Sequence, residues 1–134
     1  EEGHSVTVID NLNTGKINNI KSILDKIDFI KGDIRDFKLL KDKFRDVDGV
    51  FHEAALASVQ ESFSKTDEYN EVNVGGTENV LKLAKEFDFK VVYASSSSVY
   101  GNPTRIPIQE DDPKNPEGVI DTLLSQFCAP LANS

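Results

Sequence analysis

The sequence predicts a doubly wound α/β domain. Four short β-branched runs alternate with helical periodicities, the runs are apolar on both faces, and each meets small or polar residues at its carboxyl end. Strands apolar on both faces need helices on two sides, the usual setting of a parallel sheet. The 134 residues suffice for one compact domain and are too few for two ordinary ones.

The elements follow in order. "HSVTVID" (4–10) reads as a buried strand meeting a loop, and "NLNTGK" is turn chemistry. Ile17, Ile20, Ile23 and Leu24 recur at helical spacing. "IDFIKGD" (27–33) is a second strand, after which Asp36 is suited to N-cap a helix presenting Phe37, Leu40 and Phe44 on one face. "DGVFHEAA" (48–55) is a third strand running into a small-residue turn. Residues 66 to 87 form the longest helix, with Thr66 as N-cap and Asp67 and Glu68 favourably placed in its first turn. "FKVVYAS" (89–95) is the fourth strand. Beyond Gly101 the chain becomes a proline-punctuated acidic loop, and "EGVIDTLLSQFCAPLANS" carries only weak helical periodicity.

Composition narrows the function. A net charge of −8 argues against nucleic acid, since phosphate binding needs a basic face. A single cysteine, with His4 and His52 remote from it, offers neither a disulfide framework nor metal-ligand spacing. No apolar run is long enough for a membrane span, so a cytoplasmic protein without a membrane partner is expected. The chain has no methionine and starts its first strand almost at once, which reads as the interior of a longer gene product.

In open α/β sheets ligands bind beyond the carboxyl ends of the strands. Asp10 and Asn11 end the first strand, where in dinucleotide-binding folds an acidic side chain accepts from ribose hydroxyls and repels an added phosphate. An Asx-turn is the commoner use of a strand-ending Asp such as Asp10. Asp33 and Ile34 end the second strand, suited to an adenine amino group and ring, although Asp33 fits a helix-start cluster as well. Ala54 and Ala55 allow close approach after the third strand, and His52 reads as a buried, hydrogen-bonded structural histidine. Gly75 and Gly76 sit mid-helix at about 1 kcal/mol each relative to alanine, which suggests close packing there. Asn73 and Thr77 share the face of Gly76 and Val80, giving an inward amide. Period-two alternation would turn Ser95 and Ser97 one way and Ser96 and Ser98 the other, if the strand extends so far.

"VIDNLNTG", "GDIRD", "VFHEAALASVQES", "EYNEVNVGGTENVL", "VVYASSSSVYG" and "IPIQEDDPKNP" together resemble, in order and spacing, the NAD-dependent epimerase/dehydratase family of extended short-chain dehydrogenase/reductases. The likeness runs over residues 1 to 116 and leaves 117–134 as a divergent tail. It implies a partial Rossmann domain binding NAD. Asp10 and Asn11 would contact the adenosine ribose, Asp33 and Ile34 adenine, and Ala54, Ala55 and Asn73 would line the cofactor's path. Ser96 matches the catalytic serine or threonine at the sugar's reacting hydroxyl, with Ser97 beside it on the substrate. Dehydratases of the family carry Asp-Glu where this chain has Ser97 and Ser98. That favours a UDP-sugar 4-epimerase of the UDP-glucose or UDP-glucuronate type, in which C4 is transiently oxidised and re-reduced on its other face.

Two family features are expected outside the chain: the opening strand with its GxxGxxG phosphate loop, and the Tyr-x-x-x-Lys pair. Tyr100 is the last tyrosine and Lys114 the last lysine. The opening strand would lie between the first and third strands read above. The chain alone is therefore expected to be inactive and at risk of folding poorly, its full-length parent a homodimeric epimerase. A dehydratase, decarboxylase or reductase of nucleotide sugars fits the same motifs, and a non-catalytic nucleotide-binding module is the alternative outside enzymes.

Overall fold

A computed structural model describes residues 3–116. The divergent tail expected over 117–134 lies outside the described residues. Four four-residue strands, β1 (Thr7–Asp10), β2 (Asp28–Lys31), β3 (Gly49–His52) and β4 (Lys90–Tyr93), form two parallel pairs. β1 pairs with β2, Thr7 opposite Asp28, and β3 pairs with β4, Gly49 opposite Lys90. Parallel pairing with helical crossovers bears out the α/β class. Among the described residues no ladder joins β1 to β3, where the expected central strand would lie.

Every strand is shorter than the sequence suggests. The ladder bonds reach one residue further, from the Asp28 N–H to the Val6 carbonyl and from the Ala94 N–H to the His52 carbonyl, and beyond them the chain turns into loops. β4 ends at Tyr93 and the serines do not continue it, so alternation does not govern them.

The segment Ile17–Lys26 is a 3₁₀ helix rather than an α-helix. Ile17, Ile20 and Ile23 are each three apart, so a three-residue turn stacks them on one face at least as well. Neither a capping side chain nor a fully buried residue favours the α form.

Helix α1 (Phe37–Lys43) starts as expected, with Asp36 accepting from the Leu39 N–H at 3.0 Å. Leu40 is fully buried and Phe44 nearly so, but Phe37, in the first turn, stays exposed. A helix not read from the sequence, α2 (Val59–Ser64), is capped by Ser58.

The long helix spans 66–87 as predicted but is not uniform. It comprises α3 (Thr66–Tyr69), a π-helical stretch (Asn70–Gly76) and α4 (Thr77–Phe87). Thr66 is its first residue rather than its cap, and its hydroxyl donates to the Ser62 carbonyl at 2.9 Å. At the end of the π stretch the Thr77 hydroxyl donates to the Asn73 carbonyl at 2.6 Å, while the Thr77 N–H turns to the Val74 carbonyl. The helix closes on Asp88 in the left-handed region, φ 57°.

The core is Leu40 and Phe44 of α1 and its end, Val80 and Leu83 of α4, and Phe89. Phe44 and Phe89 meet edge to face, centroids 5.5 Å apart. Ile9, Val50 and Val91 pack onto this one cluster from β1, β3 and β4, so both strand pairs share a helical cover.

Candidate functional site

The carboxyl ends of β1, β2 and β3 open into one cleft, as the α/β rule requires. Asp10, Asn11, Ile34, Ala54 and Ala55 all line it. Asp33, Asn73, Ser96 and Ser97 are not among its lining.

At the end of β1 the chain turns sharply. Asp10 Oδ1 accepts from the Leu12 N–H at 2.6 Å, and Leu12 takes a left-handed conformation, φ 59°. Asn11 Oδ1 accepts from the Asn13 N–H at 2.9 Å. The Asx-turn is thus present at Asp10, and Asn11 adds a second one that the sequence did not suggest. Gly15 lies over the Asp10 carboxylate so closely that a Cβ there would sit 3.1 Å from Oδ2. The "NTG" turn is therefore part of the site, with Thr14 on the cleft wall.

Asp33 is the most heavily engaged carboxylate. Arg35 gives it three hydrogen bonds: its backbone N–H and Nε to Oδ1, both 2.9 Å, and Nη2 to Oδ2 at 2.8 Å. Asn11 Nδ2 adds a fourth, to Oδ2 at 3.0 Å. The Arg35 guanidinium holds the Asp33 carboxyl well below the usual carboxylate range, and Asn11 reinforces it. Four donors fill the acceptor positions a carboxylate offers, so an adenine amino group would have to displace one of them. Ile34 packs on the long helix: a Cβ at Gly76 would meet its Cγ1 at 2.6 Å.

Asn73 serves the cleft from behind. Its amide is 3% exposed, and it accepts from the Leu56 N–H at 2.8 Å while donating to the Leu56 carbonyl at 3.0 Å. Both bonds go to one residue, which pins the Ala54–Leu56 turn to the helix. The predicted inward amide is there, but it holds the wall rather than forming its surface. Leu56, Glu53 and Val72 are lining residues that the sequence reading did not single out, and no spacing signal marks them.

His52 is 4% exposed, and its Nε2 lies 2.8 Å from Thr77 Oγ1. Burial pushes its pKa down, so the ring is neutral and structural, as expected.

The serines form a cap. Ser96 Oγ accepts from the Ser98 N–H at 3.3 Å and lies 2.7 Å from Ser98 Oγ, opening a 3₁₀ turn over Ser97–Tyr100. The Ala94 N–H donates to the His52 carbonyl at 3.0 Å, which aligns the ends of β3 and β4 just before them. Ser96 thus stands exposed at the carboxyl end of β4, where it can both donate and accept.

The model of the NAD dependent epimerase/dehydratase family matches residues 1–119. A UDP-glucose 4-epimerase of Halalkalibacterium halodurans is 43% identical over 119 residues, covering 87% of this chain and 34% of that protein. The crystal structure of UDP-glucose 4-epimerase from Bifidobacterium longum in complex with NAD+ and UDP superposes with a TM-score of 0.87 at 29% identity. That match covers 98% of this chain and 42% of the other. A dTDP-glucose 4,6-dehydratase of Streptomyces venezuelae with NAD bound matches with a TM-score of 0.84 at 31% identity, over 90% of this chain and 39% of that one. The chain therefore spans well under half the length of the proteins it matches.

Proposed function

Since the chain belongs to the NAD-dependent epimerase/dehydratase family, we propose that it carries the adenosine side of an NAD site and the sugar-facing serine of a UDP-sugar 4-epimerase. The observation that carries this reading is the cleft at the ends of β1 to β3, with the Asp10 carboxylate held under Gly15.

The residues fit the adenosine half of NAD. Asp10 commits one oxygen to the Leu12 N–H, and its carboxylate remains an acceptor for vicinal ribose hydroxyls. Its charge disfavours the extra phosphate of NADP. Ile34 offers an apolar surface for the base, with Asp33 and Asn11 at its edge. Ala54 and Ala55 leave room along the third strand's end, and Asn73 keeps that turn in place. NAD, when bound, supplies the hydride acceptor and donor for sugar C4. Ser96 orients the sugar's reacting hydroxyl, with Ser97 next to it.

The serine pair 97–98 supports epimerisation over dehydration, because water elimination needs an acid that two hydroxyls do not provide. No Tyr-x-x-x-Lys spacing occurs in these 134 residues, so this chain alone lacks the base that removes the hydroxyl proton. We assign turnover to the full-length parent, a cytoplasmic homodimer on this reading, and ligand binding to this chain.

Calorimetric titration of the purified chain with NAD and with NADP tests the cofactor half. NAD should bind more tightly, and Asp10→Asn should narrow the difference. Equal affinity for both in the unaltered chain would sink the assignment of Asp10. UDP-galactose formed from UDP-glucose by the chain alone would sink the inactivity.

A further inference from the structure

The long helix holds the turn after β2 in two places, and both holds fall on Ile34. The first is steric. Gly76 leaves a notch that the Ile34 side chain fills, and a Cβ there would meet Ile34 Cγ1 at 2.6 Å. The second is polar. Asn79 Nδ2 donates to the Ile34 carbonyl at 3.1 Å, a bond between residues 45 apart in the chain, and lies 3.5 Å from the Arg35 carbonyl. Gly76 and Asn79 stand three positions apart, so they share one face of the helix. The bonds within the turn are local: the Asp36 N–H donates to the Asp33 carbonyl at 3.0 Å, and the Arg35 N–H to Asp33 Oδ1 at 2.9 Å. They shape the turn without fixing how far Ile34 stands into the cleft. Asn11 reaches the Asp33 end of the turn from β1, and Asn79 reaches the Ile34–Arg35 end from the helix. Asn79 is not part of the cleft wall. It lines a separate open hollow with Arg35, Glu71, Gly75 and Glu78, so it acts on a ligand in the cleft only through Ile34.

Resting on the reading of this turn as the adenine subsite, we propose that Asn79 is a positioning residue for the base of the dinucleotide. Its amide sets where Ile34 and Asp33 stand, and through them the preference for a base that carries an exocyclic amino group. Ile34 offers an apolar face, which accepts any flat base. The Asp33 carboxylate is the group that tells an amino donor from an oxo acceptor, because an ionised carboxylate only accepts. That distinction works only while a base lying on Ile34 brings its edge to Asp33. The Asn79 bond keeps both residues in that relation to the cleft. Without its N–H the Ile34 carbonyl loses its partner on the helix, and the turn is held there by the Gly76 notch alone. Asp10, on the β1 side of the cleft, has no bond to this turn's helix contact and keeps its own selection against an added phosphate.

The test is calorimetric titration with NAD and with nicotinamide hypoxanthine dinucleotide, which has an oxo group where NAD has the amino group. The unaltered chain should prefer NAD. Asn79→Leu keeps a branched side chain of similar size and removes the donor. It should weaken NAD binding by roughly three- to tenfold, the worth of one ordinary hydrogen bond, and narrow the preference between the two bases. Asn79→Gln returns an amide and should recover most of both. The preference for NAD over NADP should be the same in all three chains. An Asn79→Leu chain that binds NAD as the unaltered chain does, or keeps its preference between the bases, overturns the proposal and leaves the adenine reading standing. So does one that loses the base preference and the phosphate preference alike, since that is a general loss of structure. If the unaltered chain shows no preference for NAD over the hypoxanthine dinucleotide, the adenine reading itself falls and takes this assignment with it.

Discussion

Thr77 makes two hydrogen bonds through one oxygen, and this fixes the protonation of its neighbour. Its single proton goes to the Asn73 carbonyl, so toward His52 the hydroxyl can only accept, and His52 must carry its proton on Nε2. A Thr77→Val substitution keeps the shape and leaves that buried N–H unpaired, which should cost about 1–3 kcal/mol by urea unfolding. Thr77→Ser should recover most of the loss; equal losses in both variants would mean that packing, not the hydroxyl, matters there. Burial also lowers the His52 pKa from 6.5. Below pH 6.5 the unfolded chain takes up a proton that the folded ring refuses, so stability falls as pH drops through that value and on toward the folded pKa. His52→Gln should flatten this part of the pH profile, read as urea midpoints at pH 8 and pH 5.5. The same hydrogen-bonded chain continues from Asn73 to both backbone groups of Leu56. Asn73→Ala should therefore speed exchange at the Leu56 amide and leave α1 unchanged. None of this was legible as a site. The sequence suggested only an inward amide and a structural histidine, because the partner of Asn73 lies 17 residues away on a loop with no periodicity.

Two adjacent glycines in the long helix have opposite surroundings, and the element's π turn is the setting in which they differ. A Cβ at Gly75 meets nothing within 4 Å. One at Gly76 runs into Ile34, and not only its tip, since Cγ1 would lie at 2.6 Å and Cβ at 3.4 Å. Gly75→Ala should be neutral or stabilising by up to about 1 kcal/mol, from helix propensity alone. Gly76→Ala should lose about 1–3 kcal/mol to overpacking, and adding Ile34→Ala should return part of it. Thermal unfolding of the three variants checks this, and equal effects at the two glycines would contradict the packing. The composition of this helix announced a close approach, but not which glycine makes it. Both carry the same propensity cost, and the π stretch alters which residues face the sheet. Similarly, the isoleucine spacing of 17–23 was visible while its pitch was not, because a spacing of three serves both helix types. Strand existence was legible from β-branched runs. Strand ends were not, because the decisive groups are local turn bonds such as those of Asp10 and Ser96.

At the scale of the molecule, the parallel α/β class and the gathering of ligand-facing residues at strand ends were legible, because both follow from apolar patterning and one topological rule. Within residues 3–116 the expected cover on both faces fails at the β3–β4 pair, which is covered on one face only. In the β3–β4 pair, Val50 and Val91 pack on the helical core, whereas Phe51 and Val92, directly opposite each other in the register, are 77% and 56% exposed. Phe63 is a further large exposed side chain, at 68%. Two aligned apolar side chains exposed on this face of the described residues form a patch that water disfavours, and association between molecules would cover it in solution. A net charge of −8 opposes that association by repulsion, and salt screens the repulsion. The two effects predict a sign. Self-association of the chain should increase with ionic strength, the reverse of what contacts between opposite charges would give. Phe51→Thr keeps β propensity at that position and removes the ring, so it should shift sedimentation profiles toward monomer at every salt concentration. An unchanged distribution in that variant, or one that dissociates as salt is raised, would assign the association to charge pairing elsewhere on the surface.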